Sequence, residues 1–225
     1  MKIGQIFRYP KIKNRKEKKI DGYDNFNYYT NCPNNNKVQL ESGINPIGKV
    51  KNKDGEISPA ILTSSSPHKI GSSDTPWQDF YNTSKGHIRY SGDNKDTGDP
   101  LQKNGNKILV QQFEIHNSND YEIRKMASPI IFFKRRKKGY VEFNGFGVIT
   151  NAELKVQHNR KSKVDFVNYI FDFAVLEMTK ENEIFDWQWI NSRRDETKEL
   201  EETIINAPYA WKYWIKHGNN HIEKV

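Results

Sequence analysis

Residues 129–150 read PIIFFKRRKKGYVEFNGFGVIT, two runs of aromatic and β-branched residues separated by consecutive cations and a glycine. Runs of that composition favour strands and the glycine permits a tight reversal, so the stretch reads as a β-hairpin turning at Gly139. Downstream, AELKVQH (152–158) and VDFVNYIFDFAVLEM (164–178) read as further strands. The latter sets Phe166, Asn168, Ile170 and Asp172 on one face against Val167, Tyr169, Phe171 and Phe173 on the other. Upstream, HIRYSGD (87–93) alternates in the same way, Ile88 and Tyr90 opposing Arg89 and Ser91. The middle of the chain therefore reads as a meander of antiparallel strands.

Between these strands, residues 106–116 place Ile108, Leu109, Gln112, Phe113 and His116 at helical spacing behind a candidate cap at Asn104 or Asn106. FDWQWINSRRD (185–195) and ELEETIINAPYAWKYWIKHG (199–218) read as closing helical segments, the second interrupted by Pro208 and ended by Gly218. The expected class is α+β, a curved antiparallel sheet or partial β-barrel flanked by helices. Residues 11–36, KIKNRKEKKIDGYDNFNYYTNCPNNN, show no apolar periodicity. Residues 1–43 are therefore expected to form a basic, Asn- and Tyr-rich arm or irregular lead-in, and 44–225 a single domain.

The chain has 225 residues, with 36 Lys plus Arg against 28 Asp plus Glu, a formal charge of +8. A 35% hydrophobic content is low, but 12% aromatic residues let large rings supply much of the buried area, which argues against disorder throughout. No run approaches the ~20 apolar residues of a membrane helix, and the N-terminal sequence has no apolar signal core, so a cytoplasmic protein with no membrane partner is expected. The one cysteine, Cys32, supports neither an internal disulfide nor a cysteine-rich zinc site.

The run Lys134, Arg135, Arg136, Lys137, Lys138 gathers like charges that a polyanion would neutralise, and a second basic cluster lies at residues 11–19. A solvated basic turn is the plainer reading of such a run; the basic character of the whole chain favours nucleic acid. Residues 64–95 are the least ordinary part of the sequence. They carry hydroxyls, three glycines and two prolines, the rings of Trp77, Phe80, Tyr81 and Tyr90, and the carboxylates of Asp74, Asp79 and Asp93. A base flipped out of a duplex needs an aromatic face to replace lost stacking and an acceptor for its Watson–Crick edge, and Asp accepting from cytosine N4 is such a pair. Trp77 and Tyr90 also fit as core rings, and Asp93 as a turn former.

Five blocks, SSSPHKIGSSDTPWQDF, GHIRYSGDNK, GNKILVQQFEIH, ASPIIFFKRRKKGYVEFNGFG and APYAWKYWIKHG, together resemble the N-terminal domain of the AspBHI-type restriction endonucleases, relatives of MspJI, over residues 44–218. The resemblance implies an SRA-like module that binds double-stranded DNA and flips 5-methyl- or 5-hydroxymethylcytosine into a pocket. It further implies a separate nuclease domain or subunit as partner, and a base pocket at Trp77, Tyr90 and Asp93. The basic surface of His68, Lys69, Lys85, Arg89, Lys95 and residues 134–138 would then hold the DNA backbone.

Two alternatives remain open. A complete metal-dependent endonuclease would need Asp120, Glu153 and Lys155 to cluster around a metal ion. A reader of backbone phosphorothioate would need a basic cup lined by apolar groups. His217 and His221 have a zinc-like separation but enclose a glycine, which favours a frayed helix end. Neither a phosphate-binding glycine loop nor a nucleophile elbow is present, so no cofactor is expected and the chain itself is expected not to be an enzyme.

Overall fold

The computed structural model describes residues 1–10, 16–31, 38–67, 79–159, 162–219 and 222. The strands are β1 (Ile6–Arg8), β2 (Lys19–Ile20), β3 (Tyr23–Asn25), β4 (Ile44–Pro46), β5 (Val50–Asn52), β6 (Gly55–Ile57), β7 (Ile61–Ser65), β8 (Phe80–Asn82), β9 (His87–Ser91), β10 (Ile130–Lys137), β11 (Tyr140–Asn159) and β12 (Val164–Val175). The α-helices are α1 (Phe26–Tyr29), α2 (Asn104–His116), α3 (Tyr121–Lys125), α4 (Trp187–Arg193), α5 (Leu200–Ile205) and α6 (Tyr209–His217).

The expected hairpin is β10–β11. Its turn residue Gly139 has φ +79°, a left-handed conformation that favours glycine. AELKVQH is the distal half of β11, which runs for 20 residues as the spine of the sheet. Among the described residues ten strands pair in the order β2-β3-β1-β11-β10-β7-β4, with β12, β9 and β8 branching from β11. The sheet is mixed rather than the antiparallel meander expected, because β7 runs parallel to β10 and β1 parallel to β3. The chain between β7 and β10 carries β8, β9, α2 and α3, a connection long enough for a parallel return. Among the described residues no closed barrel forms; helices flank the sheet, which gives the α+β class.

Residues 130–133 of β10 are buried on both faces, which explains their unbroken apolar run. Ile131 and Phe133 enter one core with Phe7, Phe143, Phe146, Trp189, Trp211 and Trp214, while Ile130 and Phe132 enter a second core with Tyr90, Leu109, Ile149 and Phe173. The first core corrects the expected arm, since Phe7, Phe26 and Leu40 are all fully buried in it and β1 hydrogen-bonds along β11. The anchors of that segment are widely spaced and bury against distant elements, so they leave no local periodicity to read.

His116 at the end of α2 is buried between the two layers. Its Nε2 lies 3.0 Å from the Ser128 carbonyl, its Nδ1 accepts the Ile149 N–H at 2.9 Å, and its ring meets Trp214 edge-on at 5.4 Å. Burial pushes its pKa down to about 3, so the ring is neutral. Among the described residues no helix is long and apolar enough to cross a membrane.

Candidate functional site

A cavity of about 430 Å³ opens where β7, β9 and β10 meet the segment before β4. Its walls include Glu41, Gly43 and Ile44 on one side, Ser64, Ser66 and Arg135 on another, and Asp79, Tyr90, Asp93 and Lys95 on the third. Parallel pairing of β7 with β10 sets Ser65 beside Lys134 and brings the cavity's serines next to the basic run.

Two carboxylates border this space in different states. Asp93 is engaged locally, its Oδ2 accepting the Gly105 N–H and its Oδ1 the Asn106 N–H, both at 3.0 Å. These are first-turn donors of α2, which has no side-chain cap of its own from Lys103, so Asp93 caps the helix from a distance in sequence. The expected caps Asn104 and Asn106 are therefore displaced; Asn106 instead holds the Asp93 N–H with its Oδ1 and donates to Pro100 O and Asn168 Oδ1.

Asp79 accepts the Ser91 N–H at 2.9 Å and the Ser65 hydroxyl at 2.7 Å. Burial raises its pKa to about 6, with the two hydrogen bonds pulling the other way. Each oxygen keeps a lone pair beyond those bonds. Asp79 is thus a carboxyl group at the cavity wall whose pKa burial raises above the usual carboxylate range.

Tyr90 is 4% exposed and belongs to the second core, edge-on to Phe173 at 6.4 Å. Its hydroxyl reaches the cavity beside the Ser64 carbonyl at 3.4 Å and packs so closely on Gly43 that a Cβ there would lie 2.7 Å from it. The ring therefore forms floor rather than a free stacking plate. Trp77, His68 and Lys69 lie outside the described residues.

The five cations do not sit together at a turn: four belong to β10 and only Lys138 falls between the strands. Lys134 lies over the Tyr81 ring at 4.7 Å and Lys137 over Tyr140 at 4.3 Å. Arg136 pairs with Glu142. Arg135 turns toward the cavity, donating from Nε to Ser64 Oγ at 3.0 Å and from Nη2 to the Leu40 carbonyl. Arg89 is held by Asp172 at 3.2 Å and by Glu153, which occupies the charge that a phosphate would need. Lys85 is exposed, and Lys95 is half-buried at the cavity.

Asp120 caps α3 by accepting the Glu122 N–H at 2.8 Å, while Glu153 is taken by Arg89 and, at 3.1 Å, by Lys155. Among the described residues no group of three or more His, Cys, Asp or Glu could hold a metal ion. The His217 ring lies tilted against Tyr213 at 4.3 Å, and His221 lies outside the described residues.

Sequence reasoning weighed Asp79 only as one of three acceptors, and it missed Glu41 and Gly43 because they fell within the expected arm. No local pattern marks Arg135 as the cation that turns inward.

Residues 6–224 match the family described as restriction endonuclease AspBHI N-terminal. Among solved structures, the chain is similar to MspJI restriction endonuclease in complex with a 27-mer oligonucleotide, with a TM-score of 0.90 and 31% identity over 99% of this chain and 52% of that one. It shares its fold with the DNA recognition domain of the cytosine modification-dependent restriction endonuclease LpnPI, at TM-score 0.59 and 20% identity over 80% of this chain and 76% of that one. It shares it also with the DNA modification-dependent restriction endonuclease AspBHI, at TM-score 0.61 and 21% identity over 83% and 45% of the two chains. The chain therefore spans about half the length of the MspJI chain that it matches, 52%. No curated protein matches it.

Proposed function

Because this chain belongs to the restriction endonuclease AspBHI N-terminal family, and so is a DNA-recognition domain of modification-dependent restriction enzymes, we propose that its cavity receives a modified cytosine flipped out of double-stranded DNA. The observation that carries this reading is the carboxyl of Asp79 at the wall of a cavity of about 430 Å³. Ionised, Asp79 accepts from the exocyclic N4 amine of cytosine; protonated, it also donates to N3. Two protein hydrogen bonds fix its orientation, so little ordering is left for the moment of binding. Tyr90 supplies the floor, Asp93 holds the rim against α2, and Trp77 is the proposed ring that stacks on the extruded base.

Ile44 offers the cavity an apolar wall for a 5-methyl group. Such a contact is worth only about 1–3 kcal/mol, so discrimination between modified and plain cytosine is graded. Lys95, Lys137 and Lys138 hold flanking phosphates, with His68, Lys69, Lys85 and Lys134 as further proposed backbone contacts. Glu41, Asp79 and Asp93 outnumber Lys95 and Arg135 in the lining, so the space has no net positive charge to hold an anionic phosphorothioate, which favours a neutral base as occupant. Cleavage is assigned to a nuclease domain or subunit other than the residues described.

Duplexes that differ by one cytosine modification, with 2-aminopurine beside that position, test the reading. Tighter binding of the modified duplex with a rise in 2-aminopurine fluorescence is expected. Fluorescence that stays quenched in the saturated complex would show that the base remains stacked and refute it.

A further inference from the structure

Beyond Gly147, the edge of β11 that β10 covers elsewhere has no strand partner among the described residues. The end of α2 closes that edge at Ile149, whose N–H is held by His116 Nδ1 at 2.9 Å and whose carbonyl is held by Asn117 Nδ2 at 3.1 Å. From there to the hairpin end, β11 pairs only with β12 on its other side. Among the described residues, 151–157 are thus an open strand edge, and they carry exposed apolar side chains: Leu154 is 55% and Val156 72% exposed, next to Val167 at 36% on the paired strand. An unpaired edge flanked by exposed apolar groups is a template for another strand.

The sequence of this edge is self-complementary. When two copies of residues 151–157 run antiparallel about a twofold axis through Leu154, Leu154 faces its own copy and Ala152 faces Val156 on both sides. Glu153 then faces Lys155 twice, and Asn151 faces Gln157 twice. Apolar groups share one face and opposite charges the other, the combination that stabilises cross-strand pairs. A lysine at an edge normally discourages pairing. Here the twofold relation places a glutamate opposite it, extending the Arg89–Glu153–Lys155 ladder already formed within one chain.

We propose that residues 151–157 of two copies of this chain pair edge to edge in an antiparallel, twofold-symmetric dimer. Seven residues per strand make a small interface, so the dimer is weak and concentration-dependent. It joins two recognition domains with their cavities related by the twofold axis. The inference is independent of what the cavity binds.

Sedimentation equilibrium of the full chain over a wide concentration range tests it. The mass is expected to rise from 26.4 kDa toward twice that value. Glu153→Lys and Lys155→Glu each set like charges opposite one another in both pairs, and each should weaken self-association about tenfold. An equimolar mixture of the two variants restores opposite charges in every pair and should associate as the parent chain does. Lys155→Glu leaves the Arg89–Glu153 contact in place, so its effect does not depend on the fold surviving a change at Glu153.

Register is read by disulfide formation in a Cys32→Ser background. Leu154→Cys should cross-link under mild oxidation, because directly opposed residues have Cα atoms ~4.5–5.5 Å apart, within disulfide reach. Gln157→Cys should not. A mass that stays monomeric throughout, a dimer indifferent to both charge reversals, a mixture that fails to associate, or equal cross-linking at 154 and 157 would each overturn the proposal. So would a Leu154→Lys variant that loses DNA affinity with its mass unchanged, since that would make the edge a DNA contact.

Discussion

Asp79→Asn and Asp93→Ala should separate the two carboxylates at the cavity by what each one loses. In Asp79→Asn the Oδ1 atom can still accept the Ser91 N–H, and the new amide can donate to the Ser65 hydroxyl oxygen, so both local bonds survive. What disappears is the Oδ2 acceptor and the negative charge presented to the N4 amine. A hydrogen bond to a charged partner is worth about 1.5–3 kcal/mol, so affinity for the modified duplex should fall roughly 10- to 150-fold while the unmodified duplex and the unfolding midpoint stay near the parent values. Asp93→Ala instead orphans the Gly105 and Asn106 N–H groups at the start of α2. Loss of a helix cap costs about 1–2 kcal/mol, so it should lower the urea midpoint and change both affinities by the same factor. Fluorescence anisotropy on paired duplexes, with urea unfolding of each variant, provides both readouts. If Asp93→Ala removes the preference for modified DNA at unchanged stability, while Asp79→Asn keeps it, the assignment of the two residues is reversed and the reasoning fails.

Binding to duplex DNA should weaken steeply with salt because several phosphates are neutralised, and Lys137→Ala with Lys138→Ala should flatten the log–log slope without altering the preference for modified DNA. Arg135→Ala, which frees the Ser64 hydroxyl and the Leu40 carbonyl, should lower stability as well; unchanged urea midpoints would contradict its inward placement. With His116 near pKa 3 when folded and ~6.5 when unfolded, the unfolded state binds the extra proton, so stability is full above pH ~6.5 and falls as pH drops toward 3. From neutrality to pH 5 this amounts to about 2 kcal/mol, absent in His116→Gln; a His116 ring resonance titrating near 6.5 would disprove it. The chain alone should leave DNA uncut with Mg²⁺ or Mn²⁺, and nicking that disappears in Glu153→Ala would restore the endonuclease alternative.

Local patterning made the hairpin at Gly139, the alternation of β12, the helix ending at His116 and the break at Pro208 legible in the sequence. Each is set by neighbours a few residues away, where backbone geometry and side-chain period act directly. The five quoted blocks carried the family as well. What the sequence could not show depends on residues brought together from far apart. The burial of Phe7 and Phe26 rests on β1 joining β11, and the parallel entry of β7 beside β10 rests on a long connection that has no signature of its own. The same holds within the site. Asp79 and Asp93 are the same residue type in one stretch of 15 residues, and nothing local separates a carboxylate that caps α2 from one that keeps free lone pairs at a cavity. Lys134 through Lys138 form a single basic run in sequence, yet strand alternation and the contacts of each side chain turn Arg135 inward, neutralise Arg136 and leave Lys138 at the turn. Composition determined that this protein carries an excess of positive charge; only tertiary packing decided which charges were already paired, because pairing depends on distance in space and not along the chain.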